Sequence, residues 1–287
     1  MAGYEIKNEH LTVGISTMGA ELQYVRGRDG IEYLWDGSPN VWHRRSPLLF
    51  PICGGIKDDS YTHRGKEYRL TKHGFAQDSE FVLKEKTSTS AVFLLTDSAE
   101  TLAIYPFSFY LSVVYELKGN ALSVRYLVEN KSNEPMWFSI GAHEGYSCPE
   151  GIEAYDVVFD EPVSLNAHPL DGNTVLDRTV CVLEEGTVFP LRYEYFAVDA
   201  LVFKNVSFRA ASLVHRESGR TVRVSFPDAE YFLLWTKPNA KYICLEPWLG
   251  IPDGENAPTE LKEKEGIRAV PPLGKFATEH TLTFTKA

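Results

Sequence analysis

Residues 107–128 read FSFYLSVVYELKGNALSVRYLV, and this stretch decides the fold. Its first half, 107–117, is rich in aromatic and β-branched residues, which favour β-strands. In the second half apolar and polar residues alternate from Leu122 to Val128, so the even-numbered side chains should face a core. The intervening KGN at 118–120 supplies a turn. The stretch therefore predicts an antiparallel β-hairpin.

The rest of the chain repeats this pattern of strands and turns. A second hairpin is predicted from 211–216 and 221–226, which flank the turn residues ESGR. A short helix is predicted within 259–266, where a threonine N-cap and a glycine C-cap enclose it. Further strands are predicted at 11–15, 81–86, 91–96, 136–141, 231–236, 242–246 and 280–285. Runs of strands without intervening helices indicate an all-β protein whose antiparallel sheets stack as a sandwich.

Length and composition limit the classes of protein that need to be considered. The chain has 287 residues, 44% of them hydrophobic and 13% aromatic, and we expect residues 1–287 to form a single β domain. The net charge is −10, and the sequence contains no cluster of lysine or arginine residues. This charge argues against nucleic acid and anionic membranes as partners. We expect a monomer or a weak dimer.

Targeting signals and cysteine spacing favour a cytoplasmic protein. The first ten residues, MAGYEIKNEH, lack the apolar segment of a signal peptide, and no stretch approaches the length of a membrane span. The four cysteines are scattered and form no CxxC pair. We therefore expect reduced thiols, no metal site, and no cysteine beside a catalytic base.

Three polar stretches interrupt the strand pattern in the same way. They are TKHGFAQDSEF around His73, SIGAHEGYSCP around His143 and LEPW around Glu246. Each places an ionisable residue beside glycine, proline or aromatic residues where a strand passes into a loop. Active sites are often built on such loops, although a single histidine or strand-end glutamate is more often structural. Spacing alone therefore gives only a weak indication of a site.

Longer segments resemble the aldose 1-epimerase (galactose mutarotase-like) family, and most of all its LacX-like branch. The resemblance spans most of the chain, in matching order and spacing. It implies the family's large antiparallel β-sandwich, called a supersandwich, with very little helix. The segments are SPLLFPICGGIKDDSY (46–61), KHGFAQDSEF (72–81), IGAHEGYSCP (140–149), DALVFK (199–204), LLWTKPNAKYICLEPWLGIPD (233–253) and GIRAVPPLGKF (266–276).

The resemblance also implies a reaction, the interconversion of the α and β anomers of an aldohexose without any cofactor. Ring opening needs one base for the C1 hydroxyl proton and one acid for the ring oxygen. Glu246 matches the family's base, and burial beside Pro247 and Trp248 would raise its pKa. His143 matches the proton donor to the ring oxygen. His73 matches the second histidine, which holds the sugar.

Sugar-binding residues are matched less closely. Asp199 stands where the family often binds a sugar hydroxyl, and Trp248 and Phe75 are candidate stacking platforms. Many relatives carry an arginine where this chain has Gly55. Arg44 and Arg45 are the candidates to contact the sugar in its place, and the alternative is that they are charges at the rim of the site. A further difference is Glu144, which follows His143 and is either its partner or a solvated neighbour.

Other functions remain open from the sequence. A hexose-6-phosphate 1-epimerase would need basic residues near C6, for which Arg44, Arg45 and Lys57 are candidates. A non-catalytic sugar-binding or sensing protein would not need to keep both an acid and a base. A glycosidase needs two carboxylates, and only Glu144 and Asp199 are available beside Glu246. A cupin-like metal enzyme is disfavoured because the eight histidines form no HxH pair.

Overall fold

A computed structural model describes residues 3–286, in which strands are the dominant regular structure. The strands are β1 (Gly3–Lys7), β2 (Leu11–Ser16), β3 (Leu22–Gly27), β4 (Ser60–His63), β5 (Lys66–Arg69), β6 (Val82–Lys86), β7 (Ser90–Thr96), β8 (Phe109–Lys118), β9 (Ala121–Asn130), β10 (Met136–Phe138), β11 (Ile140–Gly141), β12 (Gly145–Ser147), β13 (Tyr155–Ala167), β14 (Leu170–Asp171), β15 (Thr174–Val175), β16 (Val180–Pro190), β17 (Leu201–Lys204), β18 (Ala210–His215), β19 (Thr221–Ser225), β20 (Tyr231–Trp235), β21 (Tyr242–Leu249), β22 (Arg268–Val270) and β23 (Lys275–Thr285). The prediction of an all-β fold with very little helix is confirmed.

Helical structure in the described chain is limited to short segments. The α-helix α1 spans Ala99–Ile104. The 3₁₀ turns are Lys57–Asp59, Ala76–Asp78, Ile152–Ala154, Tyr193–Phe196 and Leu261–Glu263. None of these helices, within residues 3–286, has the length and apolar character needed to cross a membrane.

The largest sheet has nine strands within the described residues, in the spatial order β16-β13-β18-β19-β23-β9-β8-β7-β6. Both predicted hairpins belong to it, as β8–β9 and β18–β19, and all of its pairings are antiparallel. On β9, Leu122, Val124, Tyr126 and Val128 are buried, as their even spacing predicted. This sheet supplies one wall of the main core.

A smaller sheet carries the residues of interest. Its path is β11-β21-β20-β17, and β12 also pairs with β21. Along β21 the side chains alternate between two faces. Ile243, Leu245 and Leu249 pack into the main core, whereas the even-numbered residues from Tyr242 to Trp248 face the opposite side. A carboxylate at position 246 therefore points away from the main core.

One continuous cluster of buried apolar side chains extends from Ile6 on β1 to Phe284 on β23. It includes residues of the nine-stranded sheet, of the smaller sheet that contains β21, and of the intervening loops. This continuity supports our proposal that the chain forms one domain. Residues 1, 2 and 287 lie outside the described range.

The helix predicted within 259–266 is wrong, because only Leu261–Glu263 forms a 3₁₀ turn. Thr259 accepts a backbone hydrogen bond from Thr62 and Glu260 forms a bridge with the same residue, so both are drawn into an extended pairing. Lys264 turns inward to a buried ion pair with Asp253. These long-range contacts outweigh the local helical tendency.

The sequence reading also missed α1 and misplaced two strand boundaries. Ser98 and Thr101 form a reciprocal capping box that begins α1. The strand predicted at 136–141 is divided between β10 and β11. The strand predicted at 242–246 continues through Pro247 to Leu249, so Glu246 lies inside a strand rather than at its end.

Candidate active site

Glu246 and His143 are brought together by the pairing of β21 with its neighbours. Gly141 on β11 pairs with Trp248, and Gly145 on β12 pairs with Cys244. The intervening residues 142–144 leave the ladder but stay antiparallel to β21, which places position 143 opposite position 246. Residues opposite each other in an antiparallel pair point to the same face. The sequence order thus aligns an imidazole with a carboxylate.

His143 and Glu246 form a close, buried pair. His143 Nε2 lies 3.3 Å from Glu246 Oε2, and the two side chains are 10% and 1% exposed. Burial lowers the pKa of His143 to about 3 and raises the pKa of Glu246 well above its usual value. Both shifts disfavour the charged forms, so over a wide range of pH the pair consists of a protonated Glu246 carboxyl and a neutral His143 imidazole. The pair thus has one titratable proton to exchange. This arrangement can accept a proton at one atom and release one at the other.

His73 sits on the same cavity in a strained backbone position. Its φ is +69°, and Gly74 follows with φ +71°. The backbone N–H of Gly54 donates a 3.0 Å hydrogen bond to His73 Nδ1, and the His73 N–H donates to the Gly54 carbonyl. Because Nδ1 accepts a hydrogen bond, neutral His73 carries its proton on Nε2. Burial and the neighbouring His143 hold the pKa of His73 well below its usual value.

The three ionisable residues line a cavity of about 310 Å³. Aromatic rings surround His143: Trp42 lies 5.2 Å away between ring centroids, and Trp235 contacts it edge-on at 5.6 Å. Trp248 meets His73 edge-on at 5.7 Å. Polar side chains and indole rings facing one cleft are suited to a sugar, which has both hydroxyl groups and apolar C–H faces.

The structure separates the five predicted sugar-binding residues into two groups. Arg44, Asp199 and Trp248 line the cavity together with Glu246 and both histidines. Arg44 donates to the Gln77 carbonyl and pairs with Asp78, which fixes its guanidinium at the rim. The loop aspartate is half-buried and accepts a hydrogen bond from the Ala200 amide. Their roles toward a sugar stay predictions.

Arg45 and Phe75 lie outside the cavity, and this corrects their prediction as binding residues. Arg45 donates to Gln23 Oε1 at 3.1 Å and packs under Gly37. Phe75 packs against a group of aromatic rings in the main core rather than facing the cleft. Those rings are Phe50, Tyr105 and Phe109. Arg45 directly follows Arg44, and Phe75 lies two residues after His73, yet neither side chain faces the cavity.

Glu144 is neither a partner of His143 nor a solvated neighbour. It points into the space between the sheets, where its Oε1 lies 3.0 Å from His280 Nε2 of β23. Both side chains are at most 5% exposed. Adjacent residues of an extended segment face opposite ways, which explains why His143 and Glu144 diverge. Glu144 is therefore unavailable as a second carboxylate in the cavity.

Several cavity residues were missed by the sequence reading. Trp42, Lys72 and Asn173 all line the cleft. Asn173 lies at the tip of the β14–β15 hairpin, and an added Cβ at Gly55 would come within 2.6 Å of its side chain. The hairpin thus occupies the space that a larger residue at position 55 would need. Loop residues brought together by long-range packing leave no local pattern in the sequence.

Cys244 also lies close to the pair, contrary to the expectation of no cysteine beside the base. Its Sγ, a ring nitrogen of His143 and a carboxylate oxygen of Glu246 are all within 4.8 Å of one another. The sequence could have predicted this proximity, because Cys244 and Glu246 are two residues apart on one strand and therefore face the same side. Cys244 is fully buried, and burial raises the pKa of its thiol well above the usual value.

This fold and cleft define a galactose mutarotase-like protein. The aldose 1-epimerase family model matches residues 3–255, and the chain belongs to the aldose 1-epimerase family. Protein LacX of Lactococcus lactis subsp. lactis is 33% identical over 293 aligned residues, which cover 97% of this chain and 98% of LacX. The predicted resemblance to the family and to LacX is confirmed.

Solved structures of similar proteins have the same fold over their full length. A galactose mutarotase related enzyme from Lactobacillus acidophilus superposes with a TM-score of 0.94 at 33% identity, covering 99% of this chain and 97% of that one. A galactose mutarotase-like protein from Lactobacillus casei superposes with a TM-score of 0.91 at 27% identity, covering 99% and 100%.

Proposed function

We propose that this protein is an aldose 1-epimerase that interconverts the α and β anomers of a hexose by acid–base catalysis. The observation that carries the proposal is the 3.3 Å approach of His143 Nε2 to Glu246 Oε2 at a cavity wall. A base and an acid that face one small cleft suffice to open and close a hemiacetal ring. Family membership and the mutarotase-like relatives support the same reaction.

The proton transfers balance within the pair. The Glu246 carboxylate takes the proton of the C1 hydroxyl, and the electrons of that O–H bond form the C1=O1 double bond. The bond from C1 to the ring oxygen breaks, and the ring oxygen takes the Nε2 proton of His143. The aldehyde then rotates about the C1–C2 bond, and closure reverses both transfers. The enzyme ends in the protonation state in which it began.

In the active form of the pair, the carboxyl proton of Glu246 has moved to His143, so a carboxylate lies beside an imidazolium. The total number of protons is the same as in the neutral pair. Burial disfavours this charged arrangement in the free protein. A bound sugar favours it, because its C1 hydroxyl donates to the carboxylate and its ring oxygen accepts from the imidazolium. Interactions of this kind strengthen as charge develops in the transition state, which is where they accelerate the reaction.

His73 has a different role in this proposal. Its Nδ1 is committed to the Gly54 amide, so its Nε2–H is a fixed hydrogen-bond donor directed by the backbone. A donor of this kind binds a sugar oxygen in both ground and transition states. We therefore propose His73, Arg44 and Asp199 as sugar-binding residues, with the indole of Trp248 against a C–H face.

The experiment that tests the proposal is proton NMR of freshly dissolved α-glucose and α-galactose with and without the protein. Enzyme should speed the appearance of the β-anomer, and the Glu246→Gln variant at equal concentration should not. A protein that binds either sugar without changing its rate of anomerisation would instead be a non-catalytic binding protein.

A hexose 6-phosphate is a second candidate substrate, and Lys72 favours it. Its exposed ammonium lines the cleft and has no ion-pair or hydrogen-bond partner among residues 3–286. Of the three basic residues predicted to contact a phosphate, Arg44 lines the cleft, whereas Arg45 and Lys57 do not. If glucose 6-phosphate is the substrate, Lys72→Met should raise its KM and leave the KM for glucose unchanged.

A further inference from the structure

We propose that the cleft contains a binding site for a thiophilic divalent cation such as Zn²⁺, formed by His143, Cys244 and Glu246, and that the cation inhibits the enzyme. The site coincides with the proposed acid–base pair, so its inhibitory effect rests on the proposed function. Cys244 has no part in the sugar chemistry derived above.

The three side chains offer the donor atoms that zinc prefers. Imidazole nitrogen, thiolate sulfur and carboxylate oxygen are its usual protein ligands, and three of them with one open position are typical of accessible zinc sites. All three residues are buried and their donor atoms lie within 4.8 Å of one another. Cavity access at His143 and Glu246 leaves the fourth position open to the cleft.

The distances are close to those of a tetrahedral site. Zinc bonds of about 2.0–2.3 Å at tetrahedral angles place ligand atoms roughly 3.3–3.6 Å apart. His143 Nε2 and Glu246 Oε2 are already separated by 3.3 Å. The donor atoms lie within 4.8 Å of one another, so forming the site requires the sulfur to approach by at most about 1.2 Å.

One further observation and a charge argument point to a cation. Glu246 Oε2 is buried and has no hydrogen-bond partner among the described residues, so a carboxyl oxygen faces the site without a polar partner. Binding displaces the thiol proton of Cys244 and the carboxyl proton of Glu246 to solvent, and the resulting thiolate and carboxylate together neutralise a divalent ion. The bound cluster would therefore carry no net charge in a setting where net charge is costly.

A bound cation would block the reaction directly. It would occupy the Glu246 oxygen that accepts the C1 proton and the His143 nitrogen that supplies the ring-oxygen proton. Sugar and metal should therefore exclude each other. Hard cations such as Mg²⁺ prefer oxygen ligands and should not compete at this site.

The activity test measures anomer interconversion in chelator-free buffer with added ZnCl₂. Zinc should inhibit competitively with sugar, EDTA should reverse the effect, and an equal concentration of Mg²⁺ should have none. Losing even a supporting partner of a metal ligand typically costs ~10–100-fold in affinity, so Cys244→Ser, which removes a proposed ligand, should weaken zinc inhibition at least about tenfold when inhibition is expressed relative to the zinc-free rate of the same variant. Cys148→Ser, which removes another buried thiol, is the matched control and should leave inhibition unchanged.

A spectroscopic test does not depend on turnover, and its first measurement needs only the wild-type protein. Titrating wild-type protein with Co²⁺ should produce the absorption band of a thiolate–cobalt bond at one equivalent, and the band should be missing in Cys244→Ser. Absence of the band in wild type, or equal zinc sensitivity of Cys244→Ser and wild type, overturns the site. A band in a protein without mutarotase activity supports the site and removes only the proposed function.

Discussion

Glu246 on β21 and His143 in the segment between β11 and β12 approach within 3.3 Å and face the same cavity. Their closeness follows from strand pairing, because position 143 stands opposite position 246 between two registered pairs. Each is buried, and burial shifts the pKa of the acid upward and that of the imidazole downward. The pair is thus arranged to exchange one proton with a small bound molecule.

Replacing the carboxylate should remove most of the rate. Glu246→Gln preserves size and hydrogen bonding but cannot accept a proton, so we expect a loss of roughly 10²–10⁴-fold with little change in sugar affinity. Polarimetry gives the rate and calorimetric titration gives the affinity. If the variant keeps more than about a tenth of the wild-type rate, Glu246 is not the general base.

Chelation and native alkylation should leave activity unchanged. The proposed proton transfers need no metal, and Cys53, Cys148 and Cys244 are buried whereas Cys181 is exposed. Iodoacetamide under native conditions should therefore add one label, at Cys181, as mass spectrometry can show. Loss of activity on exhaustive EDTA treatment, with recovery on adding zinc or manganese, would contradict the proposed mechanism.

Breaking the buried Glu144–His280 pair should cost far more stability than breaking an exposed ion pair. Removing one member of a buried pair leaves an uncompensated polar group, which typically costs about 3–5 kcal/mol. We expect a loss of this size for His280→Ala in urea unfolding. The control is Arg223→Ala, which breaks an exposed pair with Asp160 and should cost at most about 1 kcal/mol. Equal losses of unfolding free energy in the two variants would contradict this expectation.

Gly74 should be essential to the position of His73. Its φ is +71°, and a Cβ there would overlap the Phe50 carbonyl oxygen. Gly65 has a similar φ of +75° but open space around it, so Gly65→Ala isolates the backbone strain, about 1–2 kcal/mol. Gly74→Ala should lose a further ~1–3 kcal/mol from the steric clash, measured by urea unfolding, and should raise KM. Identical unfolding free energies for the two variants would exclude the clash.

The sequence predicted the parts of the fold that depend on local patterns. Alternating residues identified β9, and the capping box at Ser98 and Thr101 would have identified α1 had it been considered. The helix predicted within 259–266 failed because pairing with Thr62 is a long-range contact. Local sequence carries no information about such a partner.

The residues of the candidate site also fall into those that the sequence identifies and those that only the folded structure reveals. Glu246, His143 and His73 stand out through their neighbours and through the family resemblance, and all three line one cavity. Lys72 and Asn173 enter it only through the packing of distant loops. Arg45 and Phe75 were predicted from their chemistry, a guanidinium and an aromatic ring, but sequence does not show which way a loop side chain points, and these two pack away from the cavity.

The pH dependence of kcat/KM for His143→Asn and His73→Asn, measured by polarimetry beside wild type, tests the acid–base pair most directly. The wild-type profile of kcat/KM against pH should be bell-shaped. Activity should fall at low pH, below the usual pKa of histidine, because the pair gains a second titratable proton. Activity should fall at high pH because the pair loses its remaining titratable proton.

The two variants should differ in the alkaline limb. His143→Asn should lower kcat and lose the limb, because the remaining carboxylate has no proton to give. His73→Asn should raise KM and keep the limb, because its pair is intact. If His73→Asn loses the limb and His143→Asn keeps it, the assignment of the acid is reversed. If both variants keep it, the proton donor is another group and the proposed mechanism fails.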